Sequence, residues 1–387
     1  MMNKQPFNLS KEELARYSRH IGMEGFGLEA QQKLKAARVL VVGAGGLGSP
    51  SLLYLAAAGV GTIGLAEFDT VDDSNLQRQV LYSVADVGRS KAEAARERLR
   101  GLNPHVSVEI HEVRLTSENA LDIIANYDVV ADGTDNFATR YLVNDACVML
   151  GKPNVYASIF RFEGQVSVFN YRDAEGNIGP NYRDLYPSPP PPGLVPNCAE
   201  AGVLGVLPGI IGSMQALEVI KILSGVGEVL SGRFLVFDAF TFEARIFKIR
   251  RNAENPLNGD HPVITKLIDY DEFCGVKKEE PAIKEISATE LATWMEHGED
   301  FQLIDVREKY EYDIVNLGGE LFPLGEIESF AERIDRSRKV VVHCKSGGRS
   351  AQAIRRLEER YGYTNLYNLR AGIIGYIQEV RPELQRY

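Results

Sequence analysis

A chain of 387 residues with 44% hydrophobic and 25% charged residues has material for two or three domains, each with its own core. Its formal charge of −10 argues against a nucleic-acid-binding surface. The opening M-M-N-K-Q-P-F-N-L-S-K-E-E has no apolar stretch of signal-peptide length, and the longest apolar run, Gly202 to Met214 with Pro208 inside it, is too short for a membrane span. The four cysteines, Cys147, Cys198, Cys274 and Cys344, are far apart with no Cys-x-x-Cys, which predicts reduced thiols in a cytoplasmic protein.

In chain order, E-E-L-A-R-Y-S-R-H-I predicts an amphipathic helix with Arg16 and Arg19 on one face. Arg38 to Val42 then reads as a buried parallel strand, which Gly43, Gly45, Gly46 and Gly48 turn directly into a helix near Ser49. Such a turn seats phosphate, because small residues let the ligand approach the backbone and the helix start supplies free N–H groups. G-A-G-G-L-G also satisfies the dinucleotide pattern, and Glu67 at the end of the next strand suits a ribose, so nicotinamide or flavin binding stays open at this point. Asn75, Arg78 and Gln79 follow, and Lys91 opens the next helix behind Ser90 as N-cap. An Arg and a Lys converging on phosphates suit an enzyme that splits ATP between its α- and β-phosphates, where charge builds on the departing pyrophosphate.

Helix and strand alternate at short spacing from Lys91 to Ala131, predicting a mostly parallel sheet with helices on both faces. D-G-T-D-N, Asp132 to Asn136, lies at the carboxyl end of a strand, where such sheets bind ligands. Asp135 is either the cap of a helix beginning near Ala138 or a carboxylate that helps hold Mg²⁺ on ATP phosphates. Strands Asn154 to Phe160 and Gln165 to Tyr171 precede a proline-rich ribbon, which carries Cys198 among Asn197, Glu200 and glycines. Gly209 to Leu223 reads as a helix, Arg233 to Ile249 as a hairpin around Asp238 and Ala239, and residues 254–282 as a linker. From Ile283 the pattern restarts. The strand Val340 to His343 runs into Cys344-Lys345-Ser346-Gly347-Gly348-Arg349 and a helix, placing Cys344 in a nest of N–H groups that favours a thiolate.

G-A-G-G-L-G, E-F-D and S-N-L-Q-R-Q together resemble the MoeB/ThiF adenylating enzymes, relatives of ubiquitin-activating enzyme that activate sulfur-carrier proteins. The last hundred residues, with I-D-V-R at Ile304 to Arg307 and the six-residue loop from Cys344 to Arg349, resemble a rhodanese domain, so that nearly the whole chain is similar to MoeZ-type proteins. The resemblance implies a Rossmann-like α/β adenylation domain over residues 1–253 and a smaller α/β rhodanese domain over 283–387. It implies MgATP bound by Arg19, Gly46, Glu67, Ser74, Asn75, Leu76, Gln77, Arg78, Lys91, Asp135 and Asn136, with Asp135 on the magnesium and Arg78 and Asp135 in the chemistry. Arg19 approaches the nucleotide across a homodimer interface in that family. Cys198 would receive the acyl group, while Cys344, closed in by Arg349, would carry sulfur from a persulfide or thiosulfate donor. Asp305 and Arg307 read as structural.

The partner implied is a ubiquitin-like carrier ending in Gly-Gly, as used in molybdenum-cofactor, thiamin, cysteine, tRNA-thiolation and secondary-metabolite pathways. Zinc-bearing relatives have a Cys-x-x-Cys pair where this chain reads Asn181-Tyr182-Arg183-Asp184, and a second pair in a stretch that here, from Arg250 to His261, holds no cysteine. A tetrathiolate zinc is excluded by composition, and packing is expected to hold that corner. The alternative reading is an NAD-dependent oxidoreductase with a rhodanese appendage.

Overall fold

The computed structural model describes residues 8–190, 202–274 and 283–385. The chain divides into two compact units, residues 1–278 and 279–387. The strands of the first are β1 (Arg38–Val42), β2 (Thr62–Ala66), β3 (Ser107–His111), β4 (Val129–Asp132), β5 (Asn154–Phe160), β6 (Glu163–Phe169), β7 (Arg233–Asp238) and β8 (Glu243–Lys248). They form one sheet in the order β3-β2-β1-β4-β5-β6-β7-β8, parallel from β3 through β5 and antiparallel beyond. Chain order reverses between β1 and β4, and at such a switch point the loops after two neighbouring strands part to leave a crevice. Val39, Leu40 and Val41 on β1 are fully buried, as a strand covered on both faces requires.

The helix Val206–Ser224 is long and apolar enough to cross a membrane, longer than the run of apolar residues suggested. Here it is a core helix. It packs along β4, β5 and the helix Gly48–Ala58, with Leu207, Ile211 and Val219 buried. Gln215 in its middle donates to the carbonyls of Asp132 and Val155, and Gly212 passes so close to Leu47 that a Cβ there would lie 2.3 Å from its carbonyl oxygen. Pro208 sits in the first turn, where no intrahelical N–H is needed.

Two expectations change. The N-terminal amphipathic helix is two, Lys11–Arg16 and Ser18–Ile21, because Tyr17 turns inward. Its hydroxyl accepts from Asn103 and its ring lies against Gly59, whose φ of +82° and lack of a Cβ are both needed there. The expected linker is, over its described part, packed on the first unit: Asn255, Leu257 and Tyr270 are buried, and Tyr270 donates to Asp145 beneath it. Asp145 also forms a fully buried, two-point pair with Arg183, whose guanidinium lies on the rings of Tyr141 and Phe273.

The corner expected to hold zinc in relatives is tied here by hydrogen bonds as well as by packing, with Tyr182 and Leu257 buried. Asp184 accepts from the backbone N–H groups of Asn181 and Asn252 at 2.7 and 2.9 Å and from the Asn255 amide at 2.7 Å. The Asn181 amide donates to Asn258 at 2.9 Å. Amides tied to one another do not suit a soft-ligand metal, and no group of three His, Cys, Asp or Glu fit to hold a metal occurs among the described residues.

The second unit has β9 (Glu285–Ile286), β10 (Phe301–Asp305), β11 (Glu320–Leu321), β12 (Lys339–His343) and β13 (Leu366–Leu369), all parallel in the order β11-β10-β12-β13-β9. Helices Ala288–Glu296 and Gly348–Tyr361 flank it, the first closed by a Ser287 capping box.

Because Asp184 satisfies three donors, Asp184→Ala should cost the first unit about 3 kcal/mol. Far-UV circular dichroism during denaturation measures the loss, and a chelator should leave the wild-type midpoint unmoved.

Candidate active site

At the β1/β4 switch point lies a cavity of about 310 Å³. Gly43, with φ +87°, turns the chain at the end of β1, and a Cβ on Gly48 would stand 2.0 Å from the Gly43 carbonyl oxygen. Gly46 lines the floor, its missing side chain occupied by Pro208. Glu67 lines the cavity but spends its carboxylate on backbone: Oε2 accepts from Ala44 at 2.8 Å, and Oε1 from Phe68 and Asp69 at 2.8 and 2.9 Å. It therefore fastens the glycine turn to the end of β2 as well as facing the ligand space.

The S-N-L-Q-R-Q string forms a 3₁₀ turn, Asp73–Asn75, capped by Asp72, whose carboxylate accepts from Ser74. Ser74, Asn75, Leu76 and Gln77 do not line the cavity in this chain; the turn they make carries Arg78 and Gln79 into its wall. Arg78 is braced by donation to the Ser74 carbonyl at 3.1 Å, and Gly205 packs against Gln77. Lys91 is buried in the first turn of the helix Lys91–Leu102, 3.3 Å from Asp69, behind the Ser90 cap. Opposite, Asn136 caps the helix Phe137–Leu150 through Thr139. Asp135 is thus not the cap. Its exposed carboxylate faces the cavity with no partner among the described residues, which fits the single carboxylate that magnesium takes beside substrate phosphates.

Arg19 is exposed on Ser18–Ile21 and does not reach this cavity within the chain, and Cys198 lies outside the described residues. Sequence reasoning missed Thr134 and Arg140; the one signal for Arg140 was a basic residue in a first helical turn. Cys274 carries a thiol pushed up to about 11 by burial, in keeping with an inert role.

In the second unit Cys344 follows β12 and is 1% exposed. Gly347, held at φ +97°, donates its N–H to the sulfur at 3.1 Å, and the helix Gly348–Tyr361 begins immediately afterwards. The Ser350 hydroxyl stands 3.4 Å from the sulfur and 2.7 Å from Asn368 Oδ1. Arg349 makes a two-point pair with the buried Glu311, at 2.5 and 2.7 Å, which pins the end of the loop. Asp305 and Arg307 form a second, fully buried pair that also reaches the Val315 carbonyl. Beside it His343, with Nε2 3.7 Å from Asp305 Oδ2, has no well-formed ring hydrogen bond among the described residues, and burial holds its pKa down at about 4.

That depression makes a prediction. The unfolded state takes up a proton below its ordinary value of 6.5 and the folded state does not until about pH 4, so stability falls with pH across that window by about 1.4 kcal/mol per unit. Trp294, the single tryptophan, sits in this unit and reports its unfolding alone. His343→Leu should remove that share of the acid sensitivity in denaturation followed by Trp294 emission.

With the geometry in place, the comparisons agree with it. Residues 17–258 match the ThiF family and residues 287–379 the rhodanese-like domain. The chain is 49% identical to a protein named probable adenylyltransferase/sulfurtransferase MoeZ of Mycobacterium tuberculosis, over 98% of this chain and 96% of that one. It is 54% identical to the sulfur carrier protein adenylyltransferase of Thermus thermophilus, over 69% and 99%, and 42% identical to adenylyltransferase and sulfurtransferase MOCS3 of Drosophila grimshawi, over 98% and 87%. The crystal structure of E. coli MccB with ATP shares the fold, with a TM-score of 0.54 at 22% identity over 66% of this chain and 76% of that one. Nothing in these findings supports the oxidoreductase alternative. The chain belongs to the ThiF family of adenylating enzymes and carries a rhodanese-like domain behind its ThiF domain.

Proposed function

We propose that this enzyme uses MgATP to adenylate the terminal glycine of a ubiquitin-like sulfur-carrier protein and then converts it to the thiocarboxylate with sulfur carried on Cys344. The observation that supports it most is one crevice in which a glycine turn, Arg78, Lys91 and Asp135, unpaired among the described residues, face the same space. A carrier carboxylate oxygen attacks the α-phosphorus, the bond to the bridging oxygen breaks, and pyrophosphate leaves with its charge met by Arg78 and Lys91. Magnesium, held by Asp135 and substrate oxygens, would neutralise phosphate charge.

A donor persulfide or thiosulfate supplies sulfur to Cys344. The terminal sulfur of that persulfide attacks the acyl carbon and AMP departs. A thiol then attacks the Cys344 sulfur of the acyl disulfide, releasing the thiocarboxylate and leaving a disulfide on Cys344 that an external thiol reductant reopens; Cys198 is the candidate for the attacking thiol or for holding the acyl group beforehand. We place the enzyme in the cytoplasm as a homodimer, in which Arg19 of one copy approaches the nucleotide of the other. Molybdenum-cofactor biosynthesis is the pathway we propose first.

ATP–pyrophosphate exchange with each Gly-Gly-ended carrier tests the first half. Exchange should depend on one carrier and fall about a hundredfold or more in Lys91→Ala and Asp135→Ala; exchange with no carrier would sink the reading. Cys344→Ser should keep full exchange and form no thiocarboxylate, so mass spectrometry of the carrier separates the two chemistries.

A further inference from the structure

We infer that Arg140 binds the carboxylate of the acceptor's terminal glycine and holds it where two cavities meet; the inference rests on the adenylation reading above. The nucleotide cavity has a neighbour of about 630 Å³, whose lining includes the aromatic rings of Tyr141, Tyr156, Tyr182 and Tyr186. The two share Arg114, Asp135, Asn136, Arg140 and Ile159 in their walls. Arg78 and Lys91 line the nucleotide side only, which leaves the second cavity for the carrier's glycine tail.

Arg140 occupies an unusual place for a cation. It stands in the first turn of the helix Phe137–Leu150, where the peptide dipoles already concentrate positive charge. It is 7% exposed, has no ion-pair partner among the described residues, and its Nε has no hydrogen-bond acceptor. One terminal nitrogen donates to the Thr134 carbonyl at 3.0 Å and the Ser158 hydroxyl at 3.2 Å. The guanidinium also rests on the Tyr156 and Phe137 rings, 5.1 and 5.8 Å from their centroids, and interacts with the Tyr182 hydroxyl.

No nearby acid forms an ion pair with Arg140 among the described residues. Asp132, fully buried beside it, accepts on Oδ1 from Thr134 and feels the Arg140 charge, but burial pushes its carboxyl up all the same; the exposed Asp135 shares both cavity walls and is left for magnesium. Asp271 pairs with Arg114 at 3.0 Å, and Glu163 accepts from Gln165. A buried guanidinium with no direct ion pair is costly, and an anion arriving with the substrate would lower that cost. The pyrophosphate end is served by Arg78 and Lys91, so the anion left for Arg140 is the attacking carboxylate. A planar fork fits it and would aim one oxygen at the α-phosphorus.

The test uses the full chain, with the carrier that supports exchange prepared with a C-terminal carboxylate or carboxamide. Wild type should bind the carboxylate form about tenfold or more tightly over the carboxamide, and Arg140→Met within about twofold. In exchange assays the variant should raise KM for the carrier and lower kcat, while its Kd for ATP without carrier stays within about twofold. A retained carboxylate preference, or an equal loss of ATP affinity, overturns the assignment. Should Arg140→Met fail to fold, Arg140→Lys decides: its preference should drop several-fold with ATP affinity unchanged, and an undiminished preference overturns the inference. Exchange absent from wild type with every carrier would instead defeat the adenylation reading itself.

Discussion

The adenylation unit depends on how tightly one turn of backbone folds back on itself. Gly48 rides against the carbonyl of Gly43 at a separation that no Cβ tolerates, so β1 passes into its helix without an intervening bulge. Free N–H groups then open toward the crevice beside β4. Everything near the nucleotide is arranged around that turn: Glu67 ties it to the end of β2, Pro208 and Gly212 of the core helix press on it from below, and Gly133 closes the far side. A methyl group at Gly48 would separate these parts by more than the packing allows.

Around the turn, charge is placed against local preference. Lys91 opens its helix and Arg140 ends the first turn of its own, where a cation opposes the macrodipole, and both are buried. Neither position helps an isolated helix. Both make sense when a polyanion enters, since positive ends of helices and positive side chains then act on the same phosphate and carboxylate oxygens in a region sheltered from water. Local disfavour of this kind marks function more clearly than any single hydrogen bond.

The second unit applies the same device to a sulfur. β12 lies in the middle of a parallel sheet, the chain leaves its carboxyl end through a glycine-rich loop, and a helix starts at once. There the loop closes on a side-chain atom of its own, with the Gly347 N–H on Cys344 and the Arg349–Glu311 pair fixing the rim. Beneath it, the Asp305–Arg307 pair and a neutral His343 fill the core, so the supports of the loop differ in chemistry from the loop itself.

Much of this was legible in the order of residue types. A strand followed by closely spaced glycines admits few conformations, so both loops, their strands and their helices could be read within a residue or two; spacing put Cys344 at its loop, while the roles expected of Lys91 and Arg78 came with the family resemblance. The string S-N-L-Q carried a resemblance that implies ligand contacts; in the fold Ser74 to Gln77 form the turn that brings Arg78 and Gln79 into the cavity wall. Asp135 could have been a cap until the fold gave that task to Asn136. Arg140, the break at Tyr17 and the Asn–Asp corner depend on groups 18 to 86 residues apart in sequence, as in Arg140 to Ser158 and Tyr17 to Asn103. By itself the sequence determined which backbone turns are possible and which reactive groups stand on them, because those follow from neighbouring residues. Only the tertiary structure decided which charges are left without a partner, because that depends on what distant segments bring, or fail to bring, into contact.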